Sequence, residues 1–380
     1  MKATGKNGKI ELLRFVFCLC IMLVHTEYFV PEGVDRVFPR AALGVEFFFL
    51  VSGYLMACTC WKKSQSAATL SLGRETQQFI GKKILTIMPN FLIAWVIAFL
   101  VSELSKLNFT LPGLLGAAAD QIWEVLLIAM AGFGTVRANS VDWYISAMLL
   151  AMLVLYPICR KRFDLFVRIL APVIALFLLG YFARTDQTLV YTHRIVFGSY
   201  KGLVRAFAMV SLGAACFPLI RWLSDLKLSR LGKGLVSVVE AVAYVGAVFH
   251  FATGQGTRFD FLCALLIVVG VCLSFSGQGL LTQRFNHPVC MALGKFSLSL
   301  YLCHGFWGRA LNRVYDRHVA AGLAGADPQG EFARMLVMYF VLALPTALIV
   351  FFLSEWLKKK APALGAFLKG KLLARDTEPS

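Results

Sequence analysis

Ten apolar runs divide this chain, near residues 10–29, 42–60, 86–103, 141–158, 166–183, 203–222, 235–251, 259–276, 292–310 and 333–353. Most are close to the roughly 20 residues that a helix needs to cross a bilayer. Short polar loops separate them. A further stretch, 112–131, has a similar texture but contains Asp120, Gln121 and Glu124. It is expected to be an interfacial or re-entrant helix in a long loop. The pattern predicts an all-α, polytopic integral membrane protein with about ten transmembrane helices.

Loop charge orients the spans. With ten crossings, one side collects Lys62, Lys63, Arg74, Lys82 and Lys83, then Arg160, Lys161 and Arg162, then Arg221, Lys227, Arg230 and Lys233. The same side holds both termini, including Lys358, Lys359 and Lys360. The opposite loops are poorer in basic residues and carry Asp35, Glu103, Asp186 and Asp327. Basic loops face the cytoplasm, so both termini are expected there. An eleventh crossing at 112–131 would break this alternation. Residues 1–357 read as the membrane-embedded domain. Residues 358–380 read as a basic amphipathic cytoplasmic tail, with 361–375 lying on the inner leaflet. Lys2, Lys6 and Lys9 before the first run, with no small-residue cleavage site after it, suggest a retained signal anchor.

Composition narrows the function classes. Hydrophobic residues make up 58% of the chain and charged residues 16%, against about 25% charged in soluble domains. The net charge of +17 sits in loops and tails rather than in a soluble basic domain, so its partner is membrane lipid and not nucleic acid. The cysteine pairs Cys18/Cys20 and Cys58/Cys60 are two residues apart and point to different helix faces. No metal site or disulfide framework is expected.

The polar residues inside the spans carry the candidate chemistry, because ionisable groups there are costly and usually face a protein interior or cavity. Arg14 and His25 share the first run, LLRFVFCLCIMLVHTEYFV. Eleven residues of helix make about three turns and rise about 16 Å, so both lie near one face at two depths. The predicted topology extends this into two layers. The cytoplasmic layer holds Arg14, Lys82 and Lys83, and would suit donor phosphates. The outer layer holds His25, Glu46, Asp142, Trp143, Arg205 and His304, which include the imidazoles and carboxylates of proton transfer. Glu240 has no evident partner. His193, His250, His287 and His318 are expected to be solvated. Buried Arg, Glu and His would serve a transporter or flippase for a lipid-linked sugar or organic anion equally well, and a membrane scaffold or sensor is a third class.

Several of these residues also carry a resemblance. Arg14 and His25 frame an Arg, ten residues, then His; Gly44–Gly53 reads GVEFFFLVSG; Leu293–His304 reads LGKFSLSLYLCH; Trp143-Tyr144 stands mid-chain. In this order and spacing the chain resembles the acyltransferase-3 family of bacterial membrane O-acyltransferases over nearly its full length. It departs at GKKILTIMP, where Thr86 stands in place of a second Arg of a basic RxxR-type stretch, and at WYISAMLL, which lacks a following Glu. The resemblance implies transfer of an acyl group, commonly acetyl, from a cytoplasmic acyl-CoA co-substrate to a hydroxyl of an extracytoplasmic glycan or glycolipid. The setting would be the bacterial cytoplasmic membrane, with no permanently bound cofactor. His25 becomes catalytic, as base or transient acyl carrier, with Glu46 beside it. Arg14, Lys82 and Lys83 become donor-binding. Ser52, Trp143, Arg205 and His304 become substrate-binding. Glu46 or Asp142 would fix the His25 tautomer, and Arg205 or a backbone N–H would stabilise an oxyanion.

Overall fold

The computed structural model describes residues 7–65, 70–104, 110–133, 138, 139, 141–254, 256–322 and 327–375, with side chains as far as Lys360. Thirteen helices follow one another along it. They are α1 (Gly8–Val24), α2 (Gly44–Ser64), α3 (Leu72–Leu104), α4 (Leu111–Asp120), α5 (Ile122–Val125), α6 (Trp143–Lys161), α7 (Phe163–Leu165), α8 (Ala171–Thr185), α9 (Lys201–Asp225), α10 (Arg230–Thr253), α11 (Phe259–Ser276), α12 (Pro288–Ala320) and α13 (Pro328–Arg375). A 3₁₀ turn, His25–Phe29, extends α1, and a π turn, Phe166–Leu170, fuses α7 to α8. Ten of the resulting units are long and apolar enough to cross a membrane. Each coincides with one of the ten predicted runs. The segment around 112–131 forms only the ten-residue α4 and the single turn α5, too short to cross.

Helix ends differ from the apolar runs in an informative way. α3 begins at Leu72, not near 86, and α12 extends from Pro288 to Ala320, beyond 292–310 at both ends. Their extra turns are polar on one side, so hydropathy alone truncates them. As a result Lys82 and Lys83 sit inside α3 rather than at its start. α13 continues without interruption through 361–375, the segment expected to lie on the leaflet as a separate helix.

The bundle is centred on α2 and α9, whose membrane segments are mostly buried, while α3 and α13 lie largely at the periphery. Two glycines permit the central crossing. A Cβ at Gly53 would collide with the Val210 carbonyl, and one at Gly213 would collide with the Leu50 carbonyl. Small residues let membrane helices approach to backbone contact, where dispersion and not the hydrophobic effect holds them. α1 and α12 run side by side in the same direction. Gly294 of α12 abuts Glu11 of α1, and fourteen residues further along each helix Gly308 abuts the His25 carbonyl and the Tyr28 ring.

Polar anchors fix the ends. Asn7 caps α1 by accepting from the Lys9 and Ile10 amides, at 3.1 and 3.3 Å, and its own amide donates to the Ser274 carbonyl at 3.0 Å. Glu240, which had no evident partner in the sequence, receives Lys9 at 2.7 Å and the Ser274 hydroxyl at 2.5 Å. At the other end of the bundle a two-residue hairpin pairs β1 (Ile195–Val196) with β2 (Ser199–Tyr200) around Phe197-Gly198, both at positive φ, as a type I′ turn requires.

Candidate functional site

The site residues fall into three groups. The first surrounds two adjoining cavities, of about 810 and 480 Å³, that share Arg14, Lys82 and Thr86 on their walls. Arg14, 3.5 Å from Glu11 on the next turn, faces both. Lys83 and Ser52 line the smaller one. Lys83 lies over the Phe79 ring at 5.2 Å, a cation–π contact. The larger cavity gains two cations that sequence reading did not select, Lys295 of α12 and Lys358 of α13. Lys358 donates to Asn90 Oδ1 at 2.9 Å and to Glu355 at 3.0 Å, and the Asn90 amide donates to Ser299 at 2.8 Å. Thr86 stands on the shared wall with its hydroxyl turned back to the Lys82 carbonyl, 2.7 Å away. Lys295 and Lys358 therefore bring to this face positive charge that Thr86 does not. Lys295 lies inside the LGKFSLSLYLCH segment and Lys358 in the KKK run, which was read as topogenic charge.

The second group is a pair of histidines. Where α1 tightens into its 3₁₀ turn, residues i and i+3 eclipse. That geometry stacks His25 on Tyr28, with centroids 5.4 Å apart and planes 13° apart. The His304 ring of α12 lies 5.0 Å from His25. His304 is fully buried, and its Nδ1 is 3.3 Å from the Leu300 carbonyl. A carbonyl only accepts, so Nδ1 carries the hydrogen and Nε2 of the neutral ring is left with a lone pair. That Nε2 and the buried Nδ1 of His25 have no hydrogen-bond partner among the described residues. Unsatisfied buried polar atoms are rare and point to a group that completes them.

The third group is built of ion pairs and hydrogen bonds between distant elements. Glu46 binds Arg205, whose guanidinium lies 5.4 Å from the Trp143 ring centroid and donates to the Ala42 carbonyl at 3.2 Å. Lys201 meets Asp186 at 2.8 Å. Asp260 accepts from Thr188 at 2.5 Å and the Leu189 amide at 3.2 Å, and faces His250 at 3.2 Å and Arg40 at 3.4 Å. His250, expected to be solvated, is buried here because Asp260 on the neighbouring helix receives it. Glu46 engages Arg205 rather than His25. Asp142 is buried beside Glu124, and His25 Nδ1 is not bonded to it. The tautomer support expected from one of these acids is thus not made in this arrangement.

The structure therefore joins Arg14, Lys82, Lys83 and Ser52 around the cavities, His25 with His304, and Glu46 with Arg205 and Trp143. Tyr144, next to Trp143, turns the other way and lines the smaller cavity. Among the described residues no cluster of three or more His, Cys, Asp or Glu could hold a metal, and the ten cysteines are free thiols.

A family model described as an acyltransferase domain matches residues 7–356, nearly the whole chain. The chain belongs to the acyltransferase-3 family, and is a multi-pass membrane acyltransferase. No curated protein and no solved structure matches it.

Proposed function

We propose that this protein is an O-acyltransferase of the bacterial cytoplasmic membrane. It moves an acyl group, acetyl in the first instance, from cytoplasmic acyl-CoA to a hydroxyl of an extracytoplasmic glycan or glycolipid. The observation that carries this reading is a repetition on two parallel, touching helices. α1 bears Arg14 on the cavity and His25 eleven residues on. α12 bears Lys295 on the cavity and His304 nine residues on. Each helix sets a cation at one level and an imidazole about 14–16 Å further along. A coenzyme with its phosphates among Arg14, Lys82, Lys83, Lys295 and Lys358 would direct its thin pantetheine arm toward the histidines.

The chemistry needs a base near neutrality, and imidazole is the side chain suited to it. As the acceptor oxygen bonds to the thioester carbon, its proton passes to an imidazole nitrogen. The C–S bond breaks and the CoA sulfur leaves with a proton as the thiol. His25 acts on the hydroxyl, and His304, with its tautomer set by the Leu300 carbonyl, supplies the neighbouring acceptor atom. Glu46, held by Arg205, is assigned to positioning α2 against α9 behind Trp143.

Purified protein in nanodiscs, given acetyl-CoA and a glycan acceptor, should release free CoA thiol and form an ester-bearing product. His25→Ala should lower that rate about 10²–10⁴-fold without shifting the unfolding temperature. Full turnover by this variant would sink the assignment. A transporter would move its cargo unchanged and consume no thioester, and the family match speaks for transfer. Reporters fused in the 184–202 and 221–234 loops test the orientation; a cytoplasmic signal from the first would reverse the direction proposed.

A further inference from the structure

Three aromatic rings stand at the end of the smaller cavity, between the basic residues and the histidines. Phe48 of α2, Tyr144 of α6 and Tyr301 of α12 meet pairwise, with centroids 5.9, 6.3 and 5.8 Å apart. All three line the 480 Å³ cavity, whereas neither His25 nor His304 does. On the far side Tyr301 lies 5.5 Å from His304, one helical turn along α12. The rings thus close this end of the cavity, with Tyr301 between it and His304.

The three are not held equally. The Tyr301 hydroxyl donates to the Val141 carbonyl at 2.8 Å, and that of Tyr144 to the Met148 sulfur at 3.4 Å. Phe48 has no polar atom. It is half-buried and is held by ring packing alone, including an edge contact with Phe47 at 5.5 Å. Displacing Phe48 breaks no hydrogen bond, while displacing either tyrosine strands a hydroxyl in an apolar interior.

We propose that Phe48 is the end wall of the acyl site and limits the donor to a short acyl chain, of two to about four carbons. The inference rests on the donor reading above. An arm entering past Arg14 and Lys82 brings its thioester alongside Tyr301, the ring next to His304, with the acyl tip turned against Phe48. A longer chain must push the rings apart or fold back on itself beside Ile145, Met148 and Leu298, which also line the cavity. Overfilling a packed apolar pocket by one methylene discriminates by about tenfold or more. Replacing a benzyl group with a methyl would open room for several carbons.

The test measures binding, so it needs no acceptor. Wild type, Phe48→Ala, Phe48→Leu and Phe48→Trp are titrated in nanodiscs with free CoA, acetyl-CoA, butyryl-CoA and hexanoyl-CoA. The wild type is expected to bind acetyl-CoA at least about tenfold more tightly than hexanoyl-CoA. Phe48→Ala should erase that ratio, Phe48→Leu should reduce it, and Phe48→Trp should weaken acetyl-CoA relative to free CoA. Each ratio is taken within one variant, so a lower yield of folded protein does not alter it. A wild-type ratio carried over unchanged by Phe48→Ala, or by Phe48→Leu where the alanine variant does not fold, would overturn the wall while leaving the donor site standing. A wild type that binds no CoA thioester would overturn both, through a different column of the same data.

Discussion

Two buried histidine settings in this molecule behave in opposite ways. His250 sits beside Asp260, which also receives Arg40, Thr188 and the Leu189 amide. His25 and His304 face each other with one ring nitrogen apiece unpaired. An unmade hydrogen bond inside the bundle costs about 1–3 kcal/mol in either setting. The first lowers that cost with protein partners and so ties together α10, α11 and the loops before α2 and α9. The second keeps it, which is how a site prepared for an outside group differs from a structural joint. Burial of a titratable side chain is common to both, and only the state of its partners separates them.

Removing one member from each setting should have opposite effects. Asp260→Ala would strand Arg40 and His250, and should cost about 3–5 kcal/mol of stability, read as a lowered unfolding temperature with normal turnover per folded molecule. Glu46→Ala, which strands the fully buried Arg205, belongs with it. His304→Ala should do the reverse. Turnover should fall about 100-fold, the unfolding temperature should hold, and added imidazole should restore part of the rate. A His304→Ala protein that melts early and works normally would move this residue into the structural class. Smaller effects belong to the basic cavity. Lys82→Ala should raise the acyl-CoA KM about tenfold, since a charge-assisted contact contributes about 1.5–3 kcal/mol, with kcat little changed. Lys295→Ala should raise it about threefold, less because Lys295 lines only the larger cavity. The KM effect of both should shrink in high salt, as screening weakens exposed charges.

The number of crossings was legible because each is a long and mainly apolar run, and so was the exclusion of 112–131, where Asp120 and Glu124 fall. The separation of Arg14 and His25 along one helix was legible from helical rise. What the chain does not display is which distant residues meet. Lys9 and Glu240 are 231 positions apart, and nothing local to Glu240 announces the lysine. The pairing of Glu46 with Arg205, 159 positions away, likewise arises from the α2–α9 crossing and not from spacing. Lys295 was hidden for another reason: a lysine near the end of an apolar run reads first as topogenic charge, and only packing turns it toward a cavity. The same holds for Tyr144, which faces the cavity while its neighbour Trp143, the residue that drew notice, faces Arg205.

The glycine contacts at the α2–α9 crossing carry a consequence for genetics. Gly53 has no chemistry, yet even a methyl group there would drive against the Val210 carbonyl and pry α9 from α2. Arg205 rides on α9, and Ser52 and Phe48 ride on α2. A missense allele at Gly53 or Gly213 would therefore score as a catalytic null in a screen. Intragenic suppressors of it should arise on the opposing helix, at residues that restore the distance, and not among the histidines whose loss it imitates.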